Sequence, residues 1–297
     1  MRQGLNYGTS PGWDDVSLDE RNETAERWRA GTLQRWAYDY VSSDVLALKV
    51  APGPTPSALL DEPGTPALRI AQPGRPPELR VSQQKIKAPR GGALRDPRKR
   101  AALLHTFWHH ELQAAELMCW AVLAFPDTPA AFKRGLIGIC RDEVRHMRLY
   151  EAALAQLGFG IGDFPVRDWF WQRVPAAPTP AAFLAVMGLG FEAGNLDHTR
   201  RFAQQFRELG EESAACLQEL VAKEEVPHVA FAAHWFRHFE GDLTFTRWCR
   251  ELPAPLSPMV MRGDPLDRCA RAAAGMDEPF LDALEQWKPA PPASHGS

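Results

Sequence analysis

The sequence predicts an all-α protein built on a four-helix bundle with a long crossover, and three observations carry that prediction. Helix-start and helix-stop signals recur after Asp96. The segments they delimit have nearly equal length, and each carries an apolar stripe at threes and fours. The 297 residues, 45% hydrophobic and 24% charged, can bury a core without disulfides. A net charge of −3 advertises neither nucleic acid nor an anionic membrane as partner.

Residues 1–96 form an N-terminal extension that is expected to wrap the bundle. Trp28, Leu33 and Trp36 mark a helix or two before Val50, after which APGPTP, EPGTP and QPGRPP favour extended and turn structure. A basic run, KIKAPRGGALRDPRKR, closes the extension and reads first as a solvated charge cluster. The bundle follows over 97–241. Asp96-Pro97, Thr128-Pro129 and Thr179-Pro180 each set an oxygen acceptor before a proline, whose missing N–H costs nothing at the first helical position. Pro126, Gly158, Gly210 and Gly241 end the helices. The resulting rods, 97–125, 129–157, 180–209 and 211–240, are 29 or 30 residues long. At 1.5 Å per residue each spans about 44 Å. Two connections are too short for anything but antiparallel neighbours, whereas 158–179 can cross the bundle's length. Residues 242–297 make a short helical extension with a disordered tail.

One glutamate interrupts each apolar stripe: Glu111, Glu143, Glu192 and Glu225. Each helix pair repeats one pattern, a lone Glu followed 32 or 33 residues later by Glu-x-x-His, giving Glu111 with Glu143 and His146, then Glu192 with Glu225 and His228. Residues i and i+3 project from one helix face, about 4.5 Å apart along the axis, which suits one metal ion. All four glutamates lie near mid-helix, so four carboxylates and two imidazoles converge at one level. Burying the carboxylates without compensation is prohibitive, and two divalent cations cancel their charge. This donor set fits iron or manganese better than zinc. Two Glu-x-x-His matches alone are within reach of chance. The matched upstream glutamates, the mid-helix placement and the repeat give the signal its strength.

Pro227 lies inside the second motif and removes a bond to the Lys223 carbonyl, so a kink or bulge is expected beside His228. Other chemistry-bearing residues take plainer readings. Glu116 lies 140° round the helix from Glu111, so pairing with an arginine or support of a ligand fits better than ligation. Asp142, Glu224 and Asp197 adjoin ligands and could orient imidazoles, although a solvated face is the commoner role. His105 and His109 are spaced for a metal, yet no carboxylate or cysteine completes the set, and His110 adds none. Trp169-Phe170-Trp171 and Phe107-Trp108 are read as packing, with a substrate channel as the minor reading. The five cysteines, far apart and without a CxxC, are read as reduced core thiols. No Ser-His-Asp set, phosphate loop or dinucleotide glycine pattern is evident.

Several stretches together resemble a bacterial ferritin-like family of unknown function: Glu111-Leu-Gln-Ala-Ala-Glu116, Asp142-Glu143-Val-Arg-His146, Gly162-Asp163-Phe164-Pro165, Glu192-Ala193-Gly194-Asn195-Leu196-Asp197 and Glu225-Val-Pro-His228. The resemblance runs from about residue 70 to 275, with Pro73-Gly74-Arg75-Pro76 before the bundle and Arg271-Ala-Ala-Ala-Gly275 after it. It implies a ferritin-like fold with a dinuclear site, in which Glu111 and Glu192 would be terminal ligands, Glu143 and Glu225 would bridge, and His146 and His228 would bind one metal each.

The expected function is an oxygen-activating oxidoreductase, a hydroxylase, oxygenase or oxidase. Two iron ions (Fe/Mn or Mn as variants) are its cofactors and O₂ its co-substrate. Structure beyond a storage bundle, about 95 residues before it and 55 after, motivates a small-molecule substrate, an electron donor being required. The alternatives are an iron-handling ferroxidase or metal store, a tRNA-modifying hydroxylase suggested by the basic run, and a scaffold with a vestigial site. RNA is the less favoured partner given the acidic balance. The opening residues lack an apolar signal region and no span is evident, so a cytoplasmic monomer or homodimer without a membrane partner is expected.

Overall fold

The computed structural model describes residues 24–55, 60–84 and 88–289. The first 23 residues, residues 56–59, residues 85–87 of the basic run and the tail from 290 lie outside the described residues. The chain is all-α: no strand occurs among the described residues, only two isolated bridges, Thr32 with Leu60 and Val81 with Val166.

Four long rods dominate. α3 (Pro97–Ala124) and α4 (Ala130–Gln156) pack along each other. The third rod is α5 (Pro180–Val186), a π-helical turn (Met187–Glu192) and α6 (Ala193–Glu208), and it packs on α7 (Glu212–Glu240). α7 also touches α4 and so joins the pairs. Asp96 accepts a hydrogen bond from the Arg98 N–H and Thr179 from the Ala182 N–H, with proline next in both cases. The second start differs: Thr128 Oγ1 donates to the Phe125 carbonyl, and Pro129 occupies the cap position without a side-chain bond. Gly158, Gly210 and Gly241 have φ of 79°, 78° and 82°, the left-handed conformation that closes a helix without a Cβ penalty.

Two differences from expectation concern the site. The third rod is not a uniform α-helix. Its π turn ends on Glu192, and the close approach behind it is set by Gly188, where a Cβ would stand 2.3 Å from the Ala232 Cβ on α7. A π turn adds a residue to the helical repeat and re-aims the side chains beyond it, a feature frequent at functional sites. At Pro227, by contrast, α7 stays helical from Glu212 to Glu240. The lost bond produces no bulge, and His228 keeps its place on the inner face.

The flanking segments hold on to the rods by specific bonds. α1 (Leu33–Ser42) packs on α3, and α2 (Leu46–Val50) on α4. The Leu68 N–H donates to the Leu123 carbonyl, and Trp120 Nε1 donates to the Ile70 carbonyl. Beyond α7, α8 (Phe245–Glu251) returns so that Trp248 Nε1 donates to the Ala185 carbonyl. α9 (Arg268–Ala273) carries Arg271, which is fully buried and paired with Asp197 at 2.7 Å. α10 (Glu278–Gln286) packs Phe280 beside Trp248, ring centres 5.5 Å apart. Of the cysteines, all five are free, but only Cys119 and Cys140 are buried; Cys216 and Cys269 are exposed.

Candidate metal centre

Each rod turns its mid-helix glutamate inward because the flanking stripe buries that face. Glu111, Glu143, His146, Glu192, Glu225 and His228 are all buried, none more than 4% exposed. Glu111, Glu143, His146 and Glu225 offer donor atoms that all lie within 4.8 Å of one another, a group that could hold a metal ion. His228 joins them, its Nδ1 3.0 Å from both Glu143 Oε1 and Glu225 Oε2. His146 Nδ1 is 3.1 Å from Glu143 Oε2 and 3.5 Å from Glu225 Oε1. The two middle carboxylates therefore face both imidazoles.

Glu192 is not one of that group of four; it lines the adjoining cavity together with Glu111. Its Oε1 is buried without a hydrogen-bond partner. Burial raises the Glu192 carboxyl well above its ordinary range, and Glu225, Glu143 and Glu111 push it further. Burial likewise raises Glu111. Glu143 goes the other way: burial opposes its charge, but His228 and His146 hold the carboxyl far below the usual range. The imidazoles respond in kind. Burial disfavours the charged ring of His146, yet Glu111 and Glu143 push it up to about 12, and Glu143 and Glu225 raise His228. Four carboxylates sharing one dry space thus draw positive charge strongly, and orphaned oxygens are what a cation site presents.

Each imidazole is held from behind by the opposite rod. His146 Nε2 lies 3.0 Å from Glu224 Oε2, and His228 Nε2 lies 3.3 Å from Asp142 Oδ2. Glu224 and Asp142 each immediately precede a motif glutamate. A carboxylate bonded to one ring nitrogen leaves the other as the inward donor, which fixes ring orientation at metal sites. Arg145 completes one half by pairing with Glu224 at 2.6 Å. Pro227 holds the equivalent position in the other motif and can pair with nothing.

The remaining candidates have different work. Glu116 is fully buried in an ion cluster with Lys49 at 2.8 Å and Arg75 at 2.6 Å, and it accepts from Trp171 Nε1. Arg75 also grips Asp168, which bonds His109 Nε2 at 3.0 Å. His105 Nε2 instead accepts from the Gly162 N–H. His105 and His109 thus serve separate partners rather than one metal. Asp197 pairs with Arg271 and accepts from the Gly263 and Asp267 N–H groups, anchoring the C-terminal segment. Lys49 and Arg75 were not legible as neighbours of Glu116, because Lys49 ends a short helix and Arg75 lies in the Pro/Gly-rich stretch of an extension whose docking on the bundle no spacing reveals.

A cavity of about 250 Å³ reaches the cluster from the side of Glu111 and Glu192. Phe107, Trp169, Phe170 and Phe191 form much of its wall, so the crossover aromatics line a space as well as pack. Val260, 44% exposed, stands at its lip.

Among the described residues, no helix is long and apolar enough to cross a membrane. No solved structure matches the chain. An uncharacterised protein of Haemophilus influenzae is 25% identical over 144 residues, 46% of this chain. The chain spans about half, 50%, of that relative's length. A family model described as protein of unknown function, DUF455, matches residues 18–282, nearly the whole chain. The chain belongs to the DUF455 family.

Proposed function

We propose that the protein is a ferritin-like dinuclear oxidoreductase, with iron preferred and Fe/Mn or Mn as variants, that uses O₂ to hydroxylate or oxidise a small organic molecule. The observation that carries this reading is the buried group of Glu111, Glu143, His146 and Glu225, with His228 against Glu143 and Glu225, and with a buried, unpartnered Glu192 oxygen on the adjoining cavity wall. Carboxylate-rich sites with one imidazole per metal suit iron and manganese. Glu143 and Glu225 each lie close to both imidazoles and would bridge. Glu111 and Glu192 would be terminal, and His146 and His228 would hold one ion each.

When bound, the metal pair supplies the reduction of O₂ that such an oxidation needs. The chain does the rest. Glu224 and Asp142 hold the imidazoles in their inward orientation. Phe170 and Phe191 keep the approach apolar and dry, and Glu111 with Glu192 forms the boundary between cavity and cluster. Burial strengthens every interaction of developing charge there. A cavity reaching the cluster favours an enzyme over a metal store, which needs no room for an organic molecule beside its ions.

Metal analysis with Mössbauer spectroscopy on freshly purified protein, before and after reduction and exposure to O₂, tests the reading. Two metals per chain and O₂ consumption by the reduced protein are expected. Absence of a dinuclear stoichiometry, or a reduced protein inert to O₂, overturns it.

A further inference from the structure

The cavity beside Glu111 and Glu192 has walls of a distinctive kind. Phe170 and Phe191 stack with ring centres 4.6 Å apart and planes at 15°. His110 stacks on Phe170 at 4.9 Å, and Trp169 meets Phe191 at 4.9 Å. Besides Glu111 and Glu192, the polar part of the wall is His110, His198 and Asn195, and no lysine or arginine lines the space. His110 and His198 bring imidazole nitrogens to this wall, groups that can exchange hydrogen bonds with a guest. A cavity of about 250 Å³ has room for one or two fused rings.

We infer that this cavity binds a small uncharged aromatic compound of one or two rings carrying a hydrogen-bonding group, and that the aromatic wall of Phe107, Trp169, Phe170 and Phe191 selects it through ring contacts. The inference rests on the proposed oxidoreductase only in making the guest its substrate class; the binding stands on the cavity. Aromatic walls prefer an aromatic guest because offset and edge-to-face contacts add to the burial of area. In the metal-free protein an anionic guest would be buried with no lysine or arginine on the wall to pair with it. An aliphatic guest of equal size gains the area without the ring contacts.

Calorimetric titration of the full chain, with and without added iron, against indole, phenol, cyclohexanol and benzoate tests the assignment. Saturable binding of indole or phenol at one site is expected, with cyclohexanol and benzoate at least tenfold weaker. F170L should weaken the favoured ring about tenfold while leaving metal content and melting temperature unchanged. Should F170L unfold, V260W places a bulky side chain at the exposed lip and should block binding in a folded protein. Benzoate or cyclohexanol binding as tightly as phenol, no binding of either ring compound, or binding indifferent to both variants overturns the inference. Metal content of the same samples separates the two readings: ring binding without a dinuclear metal sinks only the oxidoreductase, whereas a loaded metal pair without ring binding sinks only the substrate class.

Discussion

His146 on α4 and Glu224 on α7 are joined by a 3.0 Å contact between Nε2 and Oε2, and His228 answers from α7 with a 3.3 Å contact to Asp142 on α4. The exchange crosses the pair of motifs, but its halves are unequal. Glu224 is also gripped by Arg145, and its side chain is 25% exposed; Asp142 has no such grip and is 50% exposed. Loss of a carboxylate behind a ligating imidazole costs about tenfold to a hundredfold in metal affinity. E224A is therefore expected to weaken one metal position by at least tenfold, and D142A the other by less. Competition with a chromophoric chelator measures both. Equal losses, or none, would remove the proposed asymmetry.

The two motif glutamates and their histidines were legible because a helix converts fixed spacing into a shared face. The rod ends were legible because proline and glycine mark them chemically. Residues 187–192 show why the rest was not: Met187, Gly188 and Gly190 read as ordinary helix, and the close approaches of Gly188 to Ala232 and of Gly190 to Met261, which accompany the π turn, are set by residues 44 and 71 positions on. Glu116 carried the same limit. Its spacing excluded it from the metal face, yet its partners Lys49, in a short helix, and Arg75, in the Pro/Gly-rich stretch, come from an extension whose composition does not say where it docks. The acidic residue before each Glu-x-x-His was visible in the sequence; its bond to the opposite histidine needed the packing of α4 on α7.

Ligand substitutions separate shared from single roles. Glu143 faces both imidazoles, whereas His146 approaches one side of the cluster. E143A is expected to abolish binding of both metals and H146A of one, with helix content by circular dichroism essentially unchanged because the core far exceeds the site. Full metal content in either variant would show the ligand assignment to be wrong.

Glu116 has a structural task that predicts a large stability effect. Breaking a buried ion cluster by removing one partner costs about 3–5 kcal/mol, because the remaining charges stay buried. E116L leaves the buried Lys49 ammonium only the Tyr40 and Val41 carbonyls and leaves Arg75 only Asp168, so a loss of about that size is expected in urea unfolding. K49M leaves the Arg75 to Glu116 pair intact and should cost less. A K49M loss equal to or greater than that of E116L would contradict the hierarchy.

Glu192 makes a pH-dependent prediction for chelator-treated protein. Its folded-state pKa lies well above the ordinary value of 4.5, chiefly through burial. Its contribution to stability is then fully present below 4.5 and is lost as pH rises toward the folded value. E192Q does not titrate, so the variant should gain stability over the original protein progressively from pH 4.5 to neutrality while losing metal affinity. Urea midpoints at several pH values check the trend; a difference that is flat or reversed contradicts it.

The π turn offers a test by compensating substitution. A Cβ at Gly188 would stand 2.3 Å from the Ala232 Cβ, closer than packed carbons tolerate. Overpacking of this kind costs about 1–3 kcal/mol. G188A must push the turn away from α7, and Glu192, four residues on, moves with it. Both stability and metal affinity are therefore expected to fall together. A232G removes the atom that G188A meets, so the double variant should recover much of both, beyond what the single effects would sum to. Additive losses would mean that the turn is held by something other than this contact.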